Sequence, residues 1–486
     1  MKHLPVTAVM TLVATALLLA GTGDVMASPT SLSWHDCHTA DTSPRLQCAT
    51  LRVPLDWSRP GGTKISLALD RLPATDPAHR IGPLLVNPGG PGGSATATVA
   101  QGGMFLGSAE LRPVLARFDV IGFDPRGVGQ SSPVRCSKPV YDPAALTVPT
   151  TAQQYRRMSE SSRRHGADCA KATGSLIEHV DTISAARDID TIRAALGAPK
   201  VSWLGVSYGT ELGAFYAQLY PGRVRAMVLD GAVDHSRSAA QDSVEESGAI
   251  EREFGRFATW CRATSTCPLR GDDIAADFDA LTARADRGQI TDPKLGRHIT
   301  AAEITAGAYE YLTMSFSWPQ LADALAAAEK TPSDPSALSQ AIPGNDPSYA
   351  AYRAIGCHDF PPQLHGPVDL RARAAKVKAV APHMWRYSEF WDWTTGCAGW
   401  PVRPANPPKR QHITGVPATL VVGNTYDPST PYAWAQGLAR QINGSRLLTY
   451  DGDGHTALYN STCARRQEAD YLITARVPPA GLICRS

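Results

Sequence analysis

This chain of 486 residues lacks the signatures of several large functional classes. Lys and Arg number 47 against 45 Asp and Glu, a net charge of +2, so there is no field to gather nucleic acid or an anionic membrane. Neither His-Glu-x-x-His nor Cys-x-x-Cys occurs, and Cys261 and Cys267 lack the histidine partners of a zinc site, so no metal is expected. The glycine-rich stretch Asn87-Pro-Gly-Gly-Pro-Gly-Gly-Ser94 has neither Gly-x-Gly-x-x-Gly spacing nor a Walker lysine, which excludes a phosphate cradle and leaves no cofactor expected. Internal repeats are absent. Beyond the first residues no apolar run approaches a bilayer-spanning helix.

What is present points outward from the cell. Lys2, the apolar stretch from Val9 to Ala20 and Val25-Met26-Ala27 before Ser28 read as a secretory signal peptide over 1–27. The apolar stretch is too short for a membrane anchor, so secretion without stable membrane insertion is expected. Ten cysteines suit an oxidising compartment. Nearness in sequence suggests the pairs Cys37 with Cys48, Cys136 with Cys169, Cys261 with Cys267, Cys357 with Cys397, and Cys463 with Cys484, among the several hundred pairings ten cysteines allow.

The richest local pattern is Val201-Ser-Trp-Leu-Gly-Val-Ser-Tyr-Gly-Thr210, an apolar strand-like run ending in Gly-x-Ser-x-Gly around Ser207. It precedes a helix-like segment, Glu211 to Tyr220, closed by Pro221-Gly222, and then a second apolar run, Ala226 to Leu229. Strand, sharp turn, helix, strand is the setting of a nucleophile elbow, where a Cβ on either glycine would clash. Further strands are predicted near Lys64 to Leu72, Pro83 to Val86, Phe118 to Phe123, Ala418 to Val422 and Arg446 to Tyr450, and a helix over Ile183 to Leu196. Alternation of this kind predicts a mostly parallel central sheet covered on both faces. From about Asp234 to Lys409 the pattern turns helical, with Glu245 to Ala263, Asp272 to Ala285, Ala301 to Met314 and Gln320 to Ala328. The fold class expected is therefore α/β, an α/β-hydrolase fold with an inserted, mainly helical cap: core over 28–233, cap over 234–409, and core again over 410–486.

A serine hydroxyl needs a base and an orienting carboxylate, in the order Ser, Asp, His for this fold. Asp427 follows a predicted strand in Gly423-Asn-Thr-Tyr-Asp-Pro-Ser-Thr-Pro431, and His455 follows another in Gly452-Asp-Gly-His-Thr456. Asp451 and Asp453 flank His455 too closely to orient its ring. Ser207, Asp427 and His455 are thus the predicted triad. The N–H of Tyr208 and that of Gly90, with Gly89 close behind, are the predicted oxyanion donors. Arg126, in Asp124-Pro-Arg-Gly-Val-Gly-Gln-Ser131, is expected to pair with Asp124 and brace the neighbouring loops.

Together these motifs resemble the secreted tripeptidyl aminopeptidases of actinobacteria, serine exopeptidases of the α/β-hydrolase fold related to prolyl aminopeptidases. The resemblance spans nearly the whole mature chain, with a C-terminal region typical of that family from about Asp392. It implies removal of short peptides, tripeptides in that family, from free N-termini; peptide or protein N-termini are then the partners. Pro88 stands where prolyl aminopeptidases have a histidine, which argues against plain proline iminopeptidase activity. Such an enzyme must bind an α-ammonium, for which Asp359, Glu245 and Glu246 are the candidate carboxylates. Trp385, Trp391, Trp393 and Trp400 crowd the cap's end and suit either a cleft or packing. Acyl transfer to serine also fits a carboxylesterase or lipase, and the same scaffold could serve as a binding protein.

Overall fold

The computed structural model describes Met1 and residues 32–102, 107–140, 148–330, 332–340 and 348–485. The signal peptide reading of 1–27 lies, Met1 apart, outside them. Seven strands come before the helical segment: β1 (His35–Asp36), β2 (Gln47–Pro54), β3 (Lys64–Leu72), β4 (Gly82–Asn87), β5 (Phe118–Phe123), β6 (Val201–Val206) and β7 (Val224–Asp230). A two-residue hairpin, β8 (Thr291–Asp292) with β9 (Arg297–His298), stands apart, and β10 (Leu420–Tyr426), β11 (Arg446–Asp453) and β12 (Ile483–Arg485) follow. The main sheet has the order β1-β2-β3-β5-β4-β6-β7-β10-β11-β12. Pairing is antiparallel from β1 through β2 and β3 to β5, and parallel across every other joint.

Strands β4, β5 and β6 are buried along their whole length, as a parallel sheet covered on both faces requires. The pleat sends alternate side chains to opposite cores. Leu85, Ile121, Phe123, Trp203 and Leu229 enter one, and Leu84, Val86, Val120, Leu204 and Val228 the other. Helices α1 (Ala95–Ala100), α2 (Ala152–Thr173), α3 (Thr182–Ala195) and α4 (Tyr208–Leu219) alternate with these strands. Ile189 and Ile192 of α3 and Leu212 of α4 join the first core, Val99 of α1 the second. This is the α/β-hydrolase fold.

Between β7 and β10 lie α5 (Ala239–Ala263), α6 (Ile274–Asp286), α7 (Ala301–Leu312), α8 (Trp318–Glu329), α9 (Ser348–Asp359), α10 (Pro367–Val380) and α11 (Glu389–Gly396). Part of this segment has its own core, built from Phe254, Phe257, Phe278, Ile304, Trp318 and Leu321. Trp391 and Trp393 are buried side chains in smaller clusters, so these two are packing. All five disulfides join the cysteine pairs suggested by nearness in sequence. No free cysteine remains among the described residues, and none of their helices is long and apolar enough to cross a membrane.

Candidate active site

The turn after β6 is as tight as its glycines suggest. Ser207 has φ 57° and ψ −129°, a conformation costly for a residue with a side chain and held only when its surroundings over-determine it. A Cβ on Gly205 would lie 2.2 Å from the Gly209 carbonyl oxygen, and one on Gly209 would lie 2.7 Å from that of Asn87. Ser207 N–H donates to the Asp230 carbonyl at 2.8 Å, tying the turn to the end of β7. The glycine-rich loop after β4 presses on the same turn, since a Cβ on Gly89 would come 2.8 Å from Ser207 Cβ and 3.2 Å from Tyr208 N. Among the described residues, the N–H groups of Tyr208 and Gly90 have no protein acceptor.

Asp427 directly follows β10, and His455 lies two residues beyond β11. The imidazole Nδ1 is 2.9 and 3.0 Å from the two Asp427 oxygens. Asp427 also accepts from the N–H groups of Ser429, Thr430 and Thr456 at 2.9, 2.8 and 3.2 Å and from the Thr430 hydroxyl at 3.0 Å. Burial alone would lower the imidazole pKa, but the charge of Asp427 and its hydrogen bond outweigh it, leaving His455 above its ordinary value. The ring reaches the Ser207 turn: a Cβ on Gly231, one residue beyond the acceptor of Ser207 N–H, would lie 3.1 Å from His455 Cε1. Among the described residues no hydrogen bond joins the Ser207 hydroxyl to His455.

The helical segment grips the histidine's loop from the other side. Glu253 of α5 accepts from Gly454 N–H at 2.8 Å, the Thr313 carbonyl accepts from His455 N–H at 2.6 Å, and Tyr309 of α7 meets the Ser429 hydroxyl at 2.6 Å. Arg256 pairs with Asp453 and lies over the Tyr426 ring.

Several sequence expectations are corrected. Arg126 does not pair with Asp124. Its buried guanidinium makes a two-pronged ion pair with Asp188 and donates to the carbonyls of Pro54, Leu55 and His179. Asp124 instead accepts from Ser94, Thr96 and Gln130. The three acids read as ammonium ligands are already occupied. Glu245 pairs with Arg237 and accepts from the Trp434 indole N–H at 2.8 Å, and Glu246 accepts from the N–H groups of Glu389 and Phe390 at 3.1 and 2.9 Å. Asp359 is buried against Thr182 and Asn406.

Two other carboxylates of the helical segment were not anticipated. Glu310 of α7 and Glu389 of α11 have side chains without a hydrogen-bond or ion-pair partner among the described residues. Burial pushes Glu310 up to about 7, with His455 pulling the other way. Burial, then the nearby charges of Glu246 and Glu310, raises Glu389 well above the usual carboxylate range, and Asp427 adds to this. These two acids therefore share electrostatic surroundings with the histidine and its aspartate.

Residues 383–484 match the family model described as "TAP-like protein". Over 97% of this chain and 96% of the relative, 33% of residues are identical to those of "Serine protease Hip1" from Mycobacterium tuberculosis. The chain belongs to the tripeptidyl aminopeptidase family. Two further relatives are the "Tripeptidyl aminopeptidase" of Streptomyces lividans, 32% identical over 94% of this chain and 87% of the relative, and the "Carboxylesterase B" of M. tuberculosis, 34% identical over 93% and 89%. As a member of the tripeptidyl aminopeptidase family, the chain is a serine hydrolase.

Proposed function

We propose that this protein is an exported exopeptidase that releases short peptides, tripeptides as in the relative of that name, from free N-termini. Ser207 attacks the scissile carbonyl, and His455 takes its proton and later delivers it to the leaving amine. Asp427 fixes the ring's tautomer and stabilises its charged form. The N–H groups of Tyr208 and Gly90, free of protein acceptors, stabilise the tetrahedral oxyanion. Water then releases the acyl-enzyme by the same route. The missing bond between Ser207 and His455 is consistent with a site that tightens around substrate.

The observation that carries a peptidase over an esterase is the pair of unpartnered acids, Glu310 and Glu389. Both side chains are half-buried; a carboxylate without a partner in such a setting is unfavourable unless a cation completes it, and the α-ammonium of a peptide supplies that cation. Residues 234–409 act as the cap that carries these acids over the serine. The five disulfides support an oxidising compartment, and the signal-peptide reading of residues 1–27 supports export.

The test pairs two measurements. A fluorophosphonate probe should label the wild type and not Ser207→Ala. A tripeptidyl nitroanilide with a free amine should be cleaved, while its N-acetylated counterpart is not. Equal cleavage of the two, or preference for simple esters, would reject the exopeptidase reading.

A further inference from the structure

Tyr208, whose N–H follows the nucleophile, has a side chain that leads away into a buried polar chain. Its phenol oxygen lies 2.6 Å from Thr182 Oγ1 at the start of α3, and Thr182 Oγ1 lies 2.5 Å from Asp359 Oδ2 at the end of α9. Asp359 Oδ1 accepts from Thr182 N–H at 3.3 Å and from the Asn406 side-chain amide at 2.9 Å. The Asn406 carbonyl meets His235 Nε2 at 3.1 Å, and His235 Nδ1 lies 2.9 Å from Glu211 of α4. The chain of contacts therefore begins and ends on the helix that follows Ser207. All of these side chains are buried.

We propose that Asp359 and Thr182 are positioning residues that hold the Tyr208 phenol and, through it, keep the Tyr208 peptide N–H aimed at the oxyanion. The proposal rests on the acyl-enzyme mechanism above. Tyr208 is the first residue of α4 and adjoins Ser207 in its strained conformation, so a small rotation there would turn the N–H away from the reacting oxygen. With its backbone in the turn and its phenol bound to Thr182, Tyr208 is held at both ends. Asp359 and Asn406 belong to the stretch between β7 and β10, and the Cys357–Cys397 disulfide lies two residues from Asp359. The inserted segment thereby helps to build the oxyanion site as well as covering it.

Tyr208→Phe, which removes only the hydroxyl, is compared with Asp359→Asn, the double variant, Thr182→Val and Thr182→Ser. Cleavage of a free-amine tripeptidyl nitroanilide is measured with inhibition by the matching peptide aldehyde, whose serine adduct carries the oxyanion, and by the product tripeptide, which carries none. Tyr208→Phe should lower kcat about 10-fold, less than the loss of a whole oxyanion donor, with the aldehyde weakened in proportion and the product bound as before. Asp359→Asn should do the same, the double variant should be no worse than either single, Thr182→Val should match them and Thr182→Ser should keep activity. Unchanged kcat in Tyr208→Phe, equal weakening of aldehyde and product, or multiplying losses in the double variant would overturn the proposal. If Asp359→Asn does not fold, Tyr208→Phe with the Thr182 pair decides alone. A wild type that neither reacts with the fluorophosphonate nor cleaves the peptide would instead remove the mechanism itself.

Discussion

On the sheet side of the molecule, Arg126 uses all five donors on Asp188 and three carbonyls, and Asp427 accepts from three backbone N–H groups, a hydroxyl and an imidazole. On the helical side, Glu310 and Glu389 have no partner for their carboxylates. At Asp188 and Asp427 the first region holds its buried charges in complete sets, which rigidifies the surrounding loops. The second leaves charge unmatched. A carboxylate left in that state gains when a cation completes it.

Substitutions and pH profiles can overturn or refine this contrast. Asp427→Asn should produce the largest effect, a fall in kcat of about 10⁴-fold with the fold intact, because the imidazole loses its orienting acceptor; thermal melting alongside steady-state kinetics checks it. Near-normal turnover would mean that the complete set around Asp427 is only structural. Arg126→Met should destabilise the protein by about 3–5 kcal/mol, since it leaves Asp188 buried without its cation. Chemical denaturation measures this, and a loss near zero would remove the idea that the sheet side depends on matched charges.

Glu310→Gln with Glu389→Gln should raise KM for free-amine substrates by about 10-fold or more while leaving ester hydrolysis unchanged. Glu310 has a folded pKa of about 7 against an ordinary 4.5. The unfolded chain therefore releases this proton first, so the group's contribution to stability declines as pH rises from 4.5 through 7. Glu310→Gln should then raise the melting temperature more at pH 8 than at pH 5, a gain paired with the loss of affinity. The same titration should lower KM for free-amine peptides as pH rises through about 7.

The smallest effect concerns the acid limb of activity. In the proposed mechanism His455 must be neutral to accept the serine proton, and it sits above its ordinary pKa, so kcat/KM should fall as pH drops through a value above that of free imidazole. The residual activity of Asp427→Asn should show this limb at lower pH. A limb that does not move would mean that Asp427 is not what holds the imidazole up.

Parts of this architecture are legible without coordinates because they depend on neighbours in sequence. Strands β3, β5 and β6 occupy the stretches their apolar runs predict, Lys64–Leu72, Phe118–Phe123 and Val201–Val206. Helix α2 is not legible by periodicity. Its buried face consists of Met158, Ser161, Ser162, Gly166 and Cys169, mostly small residues with little apolar contrast, although Thr151 and Gln154 form a capping box at its start. Glu310 lies in an alanine-rich helix whose residues 301–309 are all buried, so no stripe sets it apart. Glu389 follows the N-cap Ser388 and reads as an ordinary first-turn acid.

By itself the sequence determined the tight turn at Ser207 and the placing of Asp427 and His455 just after strands, because steric limits at glycine and apolar runs act over a few residues. Which carboxylates are spent on the protein and which remain free was decided only in the tertiary structure. Glu246 is occupied by a helix start 143 residues away, and Asp359 by Thr182, 177 residues away. A charge's partner is set by what packs against it, and no local pattern carries that information.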